Sequence, residues 1–265
     1  MFLEKILAEK RKEVEKLKTQ YANGSENIVT HVPRSFVQSL LRAPDQFGLI
    51  AEVKKASPSK GLIRRDFDPV VLASDYEAAG AQAISVLTDQ PFFQGDLRYL
   101  KMIRETVDVP LLRKDFIIDR VQIDESVVAG ADAILLIAAA LSEAQLIDLC
   151  QYAHEKGLEV LLEIHTEAEL APALAAKPDV LGINNRDLHT FNVSLDVTRH
   201  LVPQIPDDIP VISESGISDP QHVQELRNLG LAGMLVGEFL MRQRSVGDGI
   251  RFLRSERLYE HKANN

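Results

Sequence analysis

Apolar positions recur along this chain in two alternating rhythms. From Gly48 onward, short apolar runs alternate with stretches where apolar residues return every three or four positions. The runs predict buried strands at 48–54, 82–87, 109–113, 132–137, 158–163, 179–184, 209–213 and 232–236. The longer period predicts helices near 68–79, 96–106, 119–129, 142–156, 166–175, 195–201 and 219–228, and a last one near 247–255. Gly80, Gly130, Gly157 and Gly230 stand just before strands, where a helix ends in a left-handed C-cap. Asp68-Pro69, Ser142, Thr166 and Ser218-Asp219-Pro220 stand where helices begin and offer N-caps.

Strict alternation of strand and helix implies a parallel sheet. Such a sheet is either open and doubly wound or closed into a barrel. A count of eight strands favours the barrel, as does the lack of a G-x-G-x-x-G turn after the first strand. The expected fold is a single (β/α)8 TIM barrel domain spanning 1–265, with residues 1–47 as an N-terminal helical extension packed on it. In that extension, a charged helix over about 1–20 carries Phe2, Leu3, Ile6, Leu7, Val14 and Leu17 on one face. Its stripe is interrupted at Lys10 and is too short for a coiled coil, so it reads as docked on the barrel. Asn23-Gly24-Ser25 ends it. A second short helix is expected at Ser35–Leu41, capped by Ser35, with Phe36, Leu40 and Leu41 inward.

Composition narrows the function classes. The 265 residues carry a formal net charge of −9 and no long basic run, which argues against a nucleic-acid or anionic-membrane surface. The longest apolar run, AILLIAAAL, is about half a membrane span. The start of the chain lacks a signal-peptide pattern, so a cytoplasmic protein is expected. The one cysteine, Cys150, lies near the apolar stripe of a helix and reads as a core thiol, not a nucleophile. His165 and His189 have no second ligand in register, so no metal is expected.

The strand ends carry the chemistry. In such barrels the site forms at the C-terminal ends of the strands. In IAEVKKASPSKG, Glu52 and Lys54 share a face. Further along, LLRKDF places Lys114 and Phe116 in phase with Leu112, and VLLEIH places Glu163 in phase with Leu161. GINNRD does the same for Asn184 and Arg186 with Gly182, and VISESG for Glu214 with Ile212. One such residue is readily a scaffold ion pair, and Arg186 has Asp187 or Glu214 as structural partners. Seven charged or polar side chains converging on one mouth point to catalysis. After the last two strands, Ser215-Gly216 and Gly237-Glu238 suit an anion held by backbone N–H groups, with the Glu238 carboxylate turned away. The implied ligand is a phosphorylated small molecule. A lysine with a nearby carboxylate supplies acid–base chemistry. A Schiff-base lysine at Lys114 or Lys54 is the alternative chemistry.

The motifs IAEVKKASPSKG, LLRKDFI, ADAILLI, LLEIHTEAEL, GINNRDL, SESGI and LVGEFLM, in this order and spacing, resemble the indole-3-glycerol-phosphate synthase family over essentially the whole chain. The resemblance implies conversion of 1-(2-carboxyphenylamino)-1-deoxyribulose 5-phosphate to indole-3-glycerol phosphate in tryptophan biosynthesis, with loss of carbon dioxide and water and no cofactor. It implies Lys114 as the acid for ring closure and Glu163 as the acid/base for loss of water. Glu52 and Asn184 would orient hydroxyls, and Lys54 would hold an anionic group. Arg186 and Glu214 would support them, with Phe116 and Leu136 walling an aromatic pocket. Ser215, Gly216, Gly237 and Glu238 would contact phosphate. Residues 55–64 then read as a lid, with Ser57 and Pro58 touching substrate and Lys60 steering it. A monomer or weak dimer is expected. The rival readings are the cysteine-dependent isomerase of the same pathway, a Schiff-base aldolase and a non-catalytic phosphosugar-binding barrel. Cys150, mid-helix, does not supply the isomerase's cysteine.

Overall fold

The computed structural model describes residues 2–22, 32–43, 47–187 and 190–255. Eight parallel strands close into a barrel: β1 Gly48–Val53, β2 Ala83–Leu87, β3 Leu111–Lys114, β4 Ala133–Ile137, β5 Glu159–Ile164, β6 Val180–Asn184, β7 Val211–Glu214 and β8 Gly233–Val236. Each pairs with its sequence neighbours, and β1 closes the ring against β8. A helix or helical turns follow every strand, so this is the expected (β/α)8 TIM barrel. Among the described residues, no helix is long and apolar enough to cross a membrane.

The strands are apolar on both faces because both faces are buried. Ile50, Ala83, Leu112, Ala133, Leu135, Leu161, Val180, Ile212 and Leu235 form the barrel interior. Leu49, Val53, Ile84, Leu111, Ile134, Leu136, Leu162 and Met234 belong to the layer shared with the helices. Gly80, Gly130, Gly157 and Gly230 all have positive φ, between 79° and 84°, as helix C-caps leading into strands. Asp68, Ser142 and Asp219 cap their helices by accepting backbone N–H bonds. Thr166 makes no such bond, and the helix expected at 166–175 divides into a 3-10 turn, Glu167–Glu169, and a helix, Leu170–Ala175. Here Glu169 instead accepts the N–H of His165 at 2.6 Å and draws the chain into the tighter turn.

Among the described residues, two helices precede the barrel. Helix α1 (Phe2–Ala22) lies over the C-terminal ends of β2 and β3. Its interruption at Lys10 is the anchor: the ammonium is buried and lies 2.9 Å from both Asp89, after β2, and Asp115, after β3. Lys18 adds a bond to Asp119 at 2.7 Å. The turn expected at Asn23-Gly24-Ser25 lies outside the described residues. Helix α2 (Phe36–Leu41) is capped by Ser35 and held by Glu159, which accepts from Ser35 Oγ and Val37 N at 2.7 Å each. Phe36 and Leu40 close the opposite end of the barrel. Leu41, expected inward, is 42% exposed because the six-residue helix has only one turn facing the barrel.

Candidate active site

At the mouth, strand alternation aims one residue in two inward, so side chains distant in sequence meet. Lys114, at the end of β3, reaches across to Glu163 of β5 at 2.9 Å and Glu214 of β7 at 3.0 Å. All three are nearly buried, with side-chain exposures of 12%, 4% and 2%. Lys54, just past β1, pairs with Glu52 of the same strand. Asn184, ending β6, bonds Glu163 and accepts the backbone N–H of Arg186 at 3.0 Å.

One ammonium between two buried carboxylates leaves one negative charge in excess. Burial alone would lower the pKa of Lys114, but Glu163 and Glu214 outweigh it and hold the lysine protonated, well above its ordinary range. Burial also raises carboxylates, yet Lys114 and His165 pull Glu163 down to about 2. Glu214 is pushed up to about 7, because burial and the neighbouring Glu163 charge exceed the pull of Lys114. The mouth thus holds a charged lysine, an ionised carboxylate and a carboxyl that titrates near neutrality.

These groups line a cavity of about 600 Å³. One side is apolar and aromatic: Phe93, Phe116, Leu135, Ile137 and, from α1, Phe2, Leu3 and Ile6. The other side carries Ser215, Gly216, Gly237 and Glu238. Ser215 and Gly216 both have positive φ, 68° and 83°, so consecutive left-handed residues shape that loop. The Glu238 carboxylate meets Arg186 at 3.4 Å and Arg242 at 3.1 Å, so Arg186 pairs with neither Asp187 nor Glu214 here. Ser57, Pro58 and Lys60 line the rim, on a small antiparallel ladder of Ala56–Ser57 with Gly61–Leu62. Two glycines make room for the carboxylates. A Cβ on Gly237 would fall on the Glu52 carboxylate, and one on Gly182 would fall on that of Glu214.

One site expectation is corrected. Leu136 does not wall the pocket: it is fully buried in the layer between barrel and helices. Its neighbours Leu135 and Ile137 line the cavity instead. The run AILLI is apolar on both faces, so composition alone carries no phase. The other expected side chains all line one cavity. The sequence docks α1 on the barrel without placing it in the cavity, and His165, weighed there only as a metal ligand, has its Nε2 3.4 Å from Glu163, two residues before it on the same strand end. The signal for α1 was present in Phe2, Leu3 and Ile6 on the docking stripe. His189, weighed with His165 as a ligand, lies outside the described residues.

Comparisons with known proteins give the family. A family model described as indole-3-glycerol phosphate synthase matches residues 3–253. An indole-3-glycerol phosphate synthase of Geobacillus thermodenitrificans is 53% identical over 245 residues, covering 92% of this chain and 93% of the relative. Another, of Desulfotalea psychrophila, is 49% identical over 249 residues, covering 93% and 95%. Among solved structures, 3-hexulose-6-phosphate synthase from Salmonella typhimurium aligns with a TM-score of 0.63 at 15% identity, over 78% of this chain and 96% of that one, a likeness of fold alone.

Proposed function

The chain belongs to the indole-3-glycerol phosphate synthase family, and we propose that its barrel mouth closes the indole ring of 1-(2-carboxyphenylamino)-1-deoxyribulose 5-phosphate. The protein is a carboxy-lyase of tryptophan biosynthesis. The observation that carries the assignment of roles is Lys114 held between Glu163 and Glu214 in a cavity that Phe93 and Phe116 line together with Ser215, Gly216 and Gly237.

The aromatic ring lies against Phe116, Phe93 and the residues of α1, and the phosphate lies at Ser215, Gly216 and Gly237. Arg186 and Arg242 offset the Glu238 charge on that side. Lys54, at the rim, holds the aryl carboxylate. As the carboxylate-bearing ring carbon attacks the ketone, charge develops on the ketone oxygen. Lys114 donates its proton there, because an alkoxide is a far stronger base than the carboxylates that hold the lysine. The carboxylate then leaves as carbon dioxide. Glu163 moves a proton to the resulting hydroxyl, which leaves as water, and the methylene carbon beside the ring nitrogen gives up a proton that returns to Lys114, so two protons delivered and one returned make a net uptake of one. Glu52 and Asn184 orient the sugar hydroxyls, and Glu214 sets the position of Lys114. Ser57 and Pro58 close over the substrate on the ladder that carries Lys60. The reading takes residues 1–265 as one domain, working in the cytoplasm as a monomer or weak dimer.

The test is turnover of the carboxyphenylamino substrate, followed by the rise of indole fluorescence. Wild type turns over, and Lys114→Ala loses on the order of a hundredfold or more in kcat while binding product with near-normal affinity. Borohydride with substrate leaves the protein unmodified. A covalent adduct on Lys114 or Lys54, or near-normal kcat in Lys114→Ala, overturns these roles.

A further inference from the structure

The proposed reaction takes up one proton that the substrate does not itself supply. The substrate carboxylate departs as neutral carbon dioxide and the ketone oxygen as water. The balance is substrate anion plus one proton giving product, carbon dioxide and water. One proton must therefore enter per turnover. The group assigned to the dehydration, Glu163, has a side chain only 4% exposed, and bound substrate covers the mouth in front of it.

Behind Glu163 stands a second group that the ring closure does not use. His165, at the end of β5, places Nε2 3.4 Å from Glu163 Oε1. Its Nδ1 lies 3.7 Å from Glu169 Oε2. Both ring nitrogens are buried and lack a formed hydrogen bond among the described residues. Glu169 is fixed in place by the His165 backbone N–H, and its side chain is 19% exposed, more than that of His165 at 9%. Exposure rises stepwise from Glu163 through His165 to Glu169. Neither His165 nor Glu169 lines the substrate cavity.

We propose that His165, with Glu169, is the proton entry that recharges Glu163 from solvent during turnover, reaching it from the side away from the substrate. This rests on the assignment of Glu163 above. Once Lys114 has given up its proton, the pull that holds Glu163 ionised is relieved; the imidazolium then gives its Nε2 proton to Glu163 Oε1, and Glu163 passes it on to the departing hydroxyl. The neutral ring then regains a proton from water that arrives past Glu169. No other co-reactant is needed, and the single proton matches the charge lost with the carboxylate. His165 is a proton-supplying residue that does not touch the substrate.

The electrostatics suit a proton donor. Burial lowers the imidazole pKa, but Glu169 and Glu163, with Glu214 of β7 beyond, raise it above its ordinary value. Lys114 of β3 faces the other oxygen of Glu163, so its charge lies one residue further off. The neighbouring carboxylates thus favour the charged ring, which can hold a proton and pass it on.

The test compares His165→Asn and Glu169→Gln with wild type by steady-state fluorescence across roughly pH 6 to 9, in dilute buffer and with added imidazole. In His165→Asn, kcat falls about tenfold or more at the alkaline end, the loss grows with pH, and imidazole restores much of it. KM and melting temperature stay near wild type. Glu169→Gln shows the same pH trend at smaller amplitude. A His165→Asn enzyme with wild-type kcat at all pH values overturns the proposal, as does a loss that is flat with pH and unmoved by imidazole. Glu163→Gln separates the two ideas. If it is severely impaired while His165→Asn behaves as wild type, the proton entry is wrong and the role of Glu163 stands. If Glu163→Gln itself turns over normally, the role assigned to Glu163 is what fails.

Discussion

Lys10→Met probes the junction between α1 and the barrel. The Lys10, Asp89 and Asp115 side chains are 3%, 0% and 2% exposed, so solvent screens their interaction little. Burial disfavours the lysine charge, and Asp115 and Asp89 more than offset this, so the ammonium is held protonated. The substitution leaves the two carboxylates unequally served. Asp115 keeps Arg113 at 3.2 Å, Thr88 at 2.5 Å and the N–H of Phe116 at 2.8 Å. The Asp89 carboxylate keeps the N–H of Phe92. Removing one partner of such a buried set costs about 3–5 kcal/mol, which for a chain of this size lowers the melting temperature by about 6–20 °C. The sign of the pH dependence is fixed by Asp89. Burial already raises its pKa, and loss of Lys10 raises it further. A carboxylate raised in the folded state opposes folding most when pH is above its folded pKa, and the penalty disappears below the ordinary aspartate range. The deficit of Lys10→Met is therefore largest at neutral pH and narrows on acidification. Adding Asp89→Asn should recover about 1–3 kcal/mol. Thermal and urea unfolding by circular dichroism at several pH values measures all of this. A deficit below about 1 kcal/mol at neutral pH, or one independent of pH, refutes the reasoning.

The two close-approach glycines should be sensitive in turnover more than in folding. Gly237→Ala displaces the Glu52 carboxylate and should lower kcat on the order of tenfold or more with a melting temperature within a few degrees of wild type; wild-type kinetics would contradict the geometry. Glu214, with its pKa near 7 in the folded state against an ordinary 4.5, contributes stability that is complete at acid pH and lost as pH rises through neutrality. Unfolding titrations should show that slope, and Glu214→Gln should remove it; an unchanged slope assigns it elsewhere. Cys150 is buried and its thiol is pushed up to about 12 by burial, so a disulfide reagent near pH 8 should leave the native protein unlabelled and react on unfolding, whereas fast native labelling would contradict its packing.

The repeating αβ plan was legible because its causes are local. Strand and helix periods, the capping acids and serines, and left-handed glycines each act within a few residues. They gave eight strands, their order and the end of the barrel that carries chemistry. The phase of a strand was legible where a charged residue marked it, as at Glu163 and Lys114, and illegible in AILLI, where both faces are apolar and Leu136 turned outward. Tertiary structure alone decided which charges meet. Lys10 interrupts a stripe in the sequence and becomes the anchor of α1, because its partners come from two loops much further along the chain. Lys114 meets carboxylates from both β5 and β7, because closing the barrel brings side chains together whatever their separation in the chain. Charges interact through distance and burial, and neither is written in the local pattern.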